Sequence, residues 1–160
     1  MRTNSMAVTH PRTAADPLAA LLPAGNPRYL QGAWHQRDLE RIGATDRVLV
    51  LGEPRSAVDV VLALDEYGHR GTVRLVTPHG LLLTSLERIA PEAMERLTVL
   101  RAAGRLDVVA GSVGGADAYE DAFVVDVLPR GRTLHSSERY DWIVTCWRSG
   151  LRDSASRAAR

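Results

Sequence analysis

Four consecutive apolar residues, Val48 to Leu51, are closed by Gly52 and followed by an amphipathic stretch, and this run limits the possible folds more than any other. An unbroken apolar run of this length suits a parallel strand covered on both faces. From Ser56 onward Ala57, Val58, Val61, Leu62 and Leu64 recur at helical spacing, leaving Asp59, Asp65 and Glu66 for solvent. Gly68 stops that helix, His69-Arg70-Gly71 form a loop, and Val73, Leu75 and Val76 start a second strand. Strand, sharp turn, helix and strand in this order form the opening of a βαβ unit.

The turn of such a unit binds a dinucleotide when it reads G-x-G-x-x-G/A. The second glycine then lets the backbone approach a pyrophosphate held by helix-terminal N–H groups. Here the frame reads Gly52-Glu53-Pro54-Arg55-Ser56-Ala57. The first glycine and the final small residue remain. The middle glycine is Pro54, which has no N–H and sets a ring where a phosphate would lie, and Glu53 adds a negative charge beside it. The same two residues also suit an ordinary helix start, because proline is favoured at the first helical position and an acid near the N-terminus.

The chain around this unit reads in order. Residues 1–15 are polar and patternless and are expected to be a disordered tail. Asp16-Pro17 open a short apolar piece that is too short to stand as a helix and must dock on something. A helical turn is expected from about Gln36 to Ile42. Pro91 opens a helix with Met94, Leu97 and Leu100 on one face and Gly104 as its stop, and a strand over Leu106–Ala110 follows. From Gly111 the pattern turns antiparallel: Ala122–Leu128, a Pro129-Arg130-Gly131 turn, and a return strand begun by Thr133-Leu134-His135. Asp141–Cys146 reads as a last buried strand. The expected fold class is α/β, a small Rossmann-like βαβαβ parallel sheet with an antiparallel β-meander and a closing parallel strand. One domain over 16–148 is expected, with a polar tail over 149–160.

The stretch VLVLGEPRSAVDVVLALDEYGHRGTVRLVTPHGLLL, residues 48–83, resembles the NAD(P)H-binding domain inserted in FAD/NAD(P)-dependent oxidoreductases, and the resemblance covers roughly residues 28–146. The AVDVVLAL and GHRG blocks and the GLL at residues 80–82 fit that family's pattern. The family's GTGLT turn is GEPRS here, and its SRRG, which would meet an adenosine 2′-phosphate, is Thr77-Pro78-His79-Gly80. No Arg pair is left at that place, and no glycine-rich turn of an FAD-binding half precedes the unit. The resemblance therefore implies the fold, while these departures lead to an expectation of no cofactor: at most weak NAD(P) binding and no FAD.

Composition removes further classes. At 160 residues and 45% hydrophobic, one domain with a proper core is expected. A formal net charge of +1 and the lack of a basic face argue against nucleic acid. All 20 cationic residues are arginine, which excludes a Walker-type phosphate loop and a Schiff-base lysine. The lone Cys146 excludes an internal disulfide and a multi-Cys metal site, and in WIVTC it reads as a buried inert thiol. No histidine has a metal-ligand partner at useful spacing, so no metal is expected. No membrane span and no signal peptide are read, which makes the cytoplasm the expected location.

The carboxyl ends of parallel strands are where α/β sheets place ligands. Glu53 and His79 are candidates for an acid/base pair, with Gly52, Arg55, Ser56, Thr77 and Arg148 as substrate- or anion-binding residues. The main functional expectation is a repurposed scaffold that binds a small molecule other than a dinucleotide, acting as a cofactor-independent cyclase or isomerase in specialised metabolism. Two alternatives stay open: an NAD(P)-binding subunit or partner of a separate FAD-dependent oxidoreductase, and a non-catalytic interaction or dimerisation module. The missing flavin half is expected to leave an apolar face that Leu81–Leu83 and the 14–22 segment are the best candidates to cover, and a homodimer, or a complex with another biosynthetic protein, is expected.

Overall fold

A computed structural model describes residues 16–31, 35–80 and 89–147. Its elements run β1 (Tyr29–Gln31), α1 (Gln36–Glu40), β2 (Val48–Gly52), α2 (Pro54–Glu66), β3 (Val73–Thr77), α3 (Pro91–Ala102), β4 (Leu106–Ala118), β5 (Phe123–Pro129), β6 (Ser136–Tyr140) and β7 (Trp142–Cys146). They build one sheet in the order β1-β7-β2-β3-β4-β5-β6. The strands from β1 to β4 are parallel, and β4-β5-β6 form an antiparallel meander. The α/β architecture read from the sequence is the one found.

Alternation along the strands sorts the core into two layers. Val48, Val50, Val73, Leu75, Trp142, Val144 and Cys146 face α1, α2 and α3, where Leu39, Val58, Val61, Leu64, Leu97 and Leu100 meet them. The opposite face holds Leu49, Leu51, Val76 and Ile143. Phe123, Val125, Val127 and Tyr140 of the meander join that second layer together with Leu18 and Leu22. The 16–22 segment thus docks on its own sheet as a series of turns, with Leu18 fully buried. Leu81–Leu83, expected to share that task, lie outside the described residues, as do the two expected tails.

Three local details differ from the sequence reading. β1 adds a parallel strand beside β7, with Tyr29 opposite Ile143, ahead of the expected helical turn and not foreseen from the sequence. β4 continues through Gly111 to Ala118 instead of ending at Ala110, pairing first with β3 and then with β5, and it carries an irregularity between Val113 and Gly115. The return strand begins at Ser136 rather than Thr133.

The GHRG block forms a clasp beneath α2. Gly68, at φ +84°, ends the helix, and the amides of Arg70 and Gly71 donate to the Ala44 carbonyl at 2.6 and 2.9 Å. The buried His69 ring bonds the Asp46 carbonyl through Nε2 at 2.9 Å, and burial holds its pKa below the ordinary histidine value. Asp46 in turn accepts from the Trp142 indole at 2.9 Å. Across the amino ends of the strands, Arg74 pairs with Glu138 of the meander and, at 2.8 Å, with Asp107, while Arg47 reaches Glu138 at 3.0 Å.

Candidate functional site: the carboxyl edge of the parallel strands

β7, β2, β3 and β4 end together along one edge, and the sequence-nominated residues fall there. Gly52 closes β2 at φ +145°, a conformation suited to glycine. A Cβ at Gly52 would lie 2.7 Å from the backbone carbon and oxygen of Cys146, so the retained first glycine serves the close passage of β2 past β7. Glu53 sits at the N-cap of α2, where its side chain makes no capping hydrogen bond, and Pro54 occupies the first turn. Arg55 is exposed and Ser56 half-buried at the same end.

Thr77 ends β3 fully buried, and its hydroxyl finds no hydrogen-bond partner among the described residues. His79 stands in the loop after β3, where its Nδ1 lies 2.8 Å from Arg130 Nη1. Arg148 lies outside the described residues. Cys146 is buried beneath the edge, and desolvation pushes its thiol up to about 12, in keeping with an inert core residue.

Two adjoining depressions mark the edge. One, of about 210 Å³, is lined by Pro17, Leu51, Val76, Pro78, Gly111, Ser112, Val113 and Trp147. It lies on the sheet face covered by the 16–22 segment and is mainly apolar. The other, of about 270 Å³, runs along His79, Ser112, Leu128, Pro129, Arg130 and Arg132. Glu53 lines neither. Sequence reasoning missed Pro17, Arg130 and Arg132. The first had been read only as the start of an apolar piece and Arg130 only as part of a meander turn, and nothing in the local pattern marked Arg132. Among the described residues no group of His, Cys, Asp and Glu is placed to hold a metal ion. No described helix is long and apolar enough to cross a membrane.

The residues at this edge can be tested against a dinucleotide. Pro54 removes one N–H from the first βα turn, yet the amides of Arg55 and Ser56 still begin an uncapped helix N-terminus that attracts an anion. The apolar depression at the strand ends has the lining suited to a planar ring. The edge fits such a ligand with a weakened phosphate grip.

No protein-family model matches the sequence, and no curated protein matches it. Solved structures do. An L-lysine 6-monooxygenase from Pseudomonas syringae superposes with a TM-score of 0.60 at 17% identity, over 87% of this chain and 43% of that one. A lysine monooxygenase from Nocardia farcinica, reported for an unprecedented conformation of its NADPH domain, gives 0.55 at 17% identity, over 78% of this chain and 37% of that one. A thioredoxin reductase from Gloeobacter violaceus gives 0.55 at 14% identity, over 84% and 37%. The chain therefore spans less than half the length of each.

These neighbours are redox enzymes, and they overturn three linked expectations: the cofactor-independent cyclase or isomerase, an enzyme working by acid/base chemistry without redox, and the expected lack of a cofactor. The expected lack of a cofactor rested on Pro54, on the Glu53 charge and on the missing Arg pair, while the helix terminus behind Pro54 persists. The described residues carry the Rossmann-like fold that these solved structures share over the matched part.

Proposed function

We propose that this chain is a dinucleotide-binding domain or subunit of a flavin-dependent redox enzyme, working with a flavin-bearing region that lies elsewhere. The observation that carries the reading is the shared carboxyl edge of β7, β2, β3 and β4. There the start of α2 follows Gly52 on one face of the sheet and an apolar depression opens beside Leu51 and Val76 on the other, both at the strand ends where α/β sheets hold nucleotides. Gly52, Arg55 and Ser56 are the residues at the pyrophosphate position, and Leu51, Val76 and Trp147 wall the place for a ring. The bound nucleotide would supply a hydride to a flavin; this chain's own part is to hold and orient it. Glu53 weakens the grip by repulsion and Pro54 by its missing N–H.

Titration of the full chain with NADH and NADPH, followed by calorimetry, tests the reading. Weak saturable binding is expected. In Pro54→Gly, which restores a donor, binding should tighten by about tenfold, the worth of one charge-assisted hydrogen bond. Heat-silent titrations by both proteins, with no protection of the α2 amides from hydrogen exchange, would overturn it.

A further inference from the structure

The loop after β3 and the turn after β5 are 51 residues apart in sequence at their point of contact, yet they meet over Ala110. Ala110 pairs with Thr77 through the sheet, and its carbonyl accepts from the Arg130 amide at 2.7 Å. A Cβ on Gly80 would sit 3.3 Å from the Ala110 side chain, so the 78–80 loop also folds onto that residue. This shared neighbour brings His79 beside Arg130.

A guanidinium can only donate, so the 2.8 Å contact makes His79 Nδ1 the acceptor and leaves Nε2 carrying the hydrogen. Arg130 keeps further N–H donors to offer. Arg132 lines the same groove with Ser112, above a floor of Pro78, Leu128 and Pro129, and none of the described residues lining it is acidic. Two guanidiniums and an imidazole N–H beside an apolar floor are matched to a compact anion attached to a flat or apolar body.

The position says which anion. In a βαβ dinucleotide unit the end of the second strand reads the adenosine ribose, by an acid for a 2′-hydroxyl or by arginine for a 2′-phosphate. Here that strand is β3, and Thr77-Pro78-His79-Gly80 supplies neither acid nor arginine. The geometry points to Arg130 and Arg132, delivered from the meander, as a 2′-phosphate site that selects NADP(H) over NAD(H). This inference rests on the proposed dinucleotide-binding function.

Binding of adenosine 2′,5′-bisphosphate and of adenosine 5′-monophosphate to the full chain is the test, with NADH titrated in parallel. The bisphosphate should bind about tenfold tighter, on the scale of a charge-assisted phosphate contact. Arg130→Gln and Arg132→Gln should each narrow that gap, and the double variant should close it with the thermal midpoint unchanged. Equal binding of the two nucleotides, no binding of the bisphosphate, or a preference that survives the double substitution would overturn the site. NADH binding without a 2′-phosphate preference sinks this site and leaves the proposed function standing. An arginine-dependent preference for the bisphosphate with no binding of NADH or NADPH keeps the phosphate site but overturns the proposed function and, with it, the selection of NADP(H).

Discussion

The Asp16 carboxylate accepts a hydrogen bond from Thr145 Oγ1 at 2.9 Å, and the same oxygen takes the Tyr29 hydroxyl. One side chain thus fastens the 16–22 segment to both β1 and β7, and its other oxygen accepts from the Leu18 amide at 2.9 Å. Burial and this bond to Asp16 raise the Tyr29 pKa, so the phenol stays protonated and donating. Asp16→Ala is expected to lower stability by about 1–3 kcal/mol, because it strands the partly buried Thr145 and Tyr29 hydroxyls. Asp16→Asn should fall between the variant and the parent. Urea midpoints for the three proteins check this.

Gly52→Ala should cost more. The new Cβ would collide with the Cys146 backbone at 2.7 Å, in a backbone conformation that side chains avoid. A loss of about 3 kcal/mol or more is expected, since β2 and β7 are central strands with no room to separate. A thermal midpoint within a degree or two of the parent would show that Gly52 is retained for some other reason.

His69 makes stability depend on pH in a stated direction. Burial holds its folded pKa below the reference value of 6.5. Between the folded value and 6.5 the unfolded chain takes up a proton that the folded ring refuses, so stability rises with pH through that window and falls as pH drops. His69→Gln should flatten the slope of unfolding free energy against pH below about 6.5 while lowering stability at neutral pH. An unchanged acid slope would mean that other groups set it.

Cys146 is expected to resist thiol reagents in the native chain. Its thiol is buried and pushed up to about 12, so almost no thiolate is present near neutral pH. Labelling should proceed only through opening and reach the free-thiol rate in denaturant. Rapid native labelling would place Cys146 at an accessible edge.

Most of the parallel half was legible because its signals are local. Val48–Leu51, the helix from Pro54 and the glycine stops at Gly68 and Gly104 each lie within a few residues of what they control. β1 was missed because Tyr29-Leu30-Gln31 is too short to show a period; its pairing depends on β7, more than a hundred residues later. β4 was cut short because the pattern turns antiparallel at Gly111, whereas Gly111 is there to let the Leu128 carbonyl approach. The site divided in the same way. Glu53, Arg55 and His79 could be nominated from strand ends, but the approach of Arg130 to His79 is a tertiary event set by Ala110.

The place of β7 in the sheet has a consequence for how the chain is made. β7 lies between β1 and β2, so both of those earlier strands wait for it. On the order of 90 residues separate β2 from β7, which at ribosomal speeds of about 5–20 residues per second is a gap of roughly 5–20 s. Throughout that interval one edge of the VLVL strand has no partner in the nascent chain. The middle of the sheet therefore stays open to wrong pairing along that edge until Trp142–Cys146 slots in.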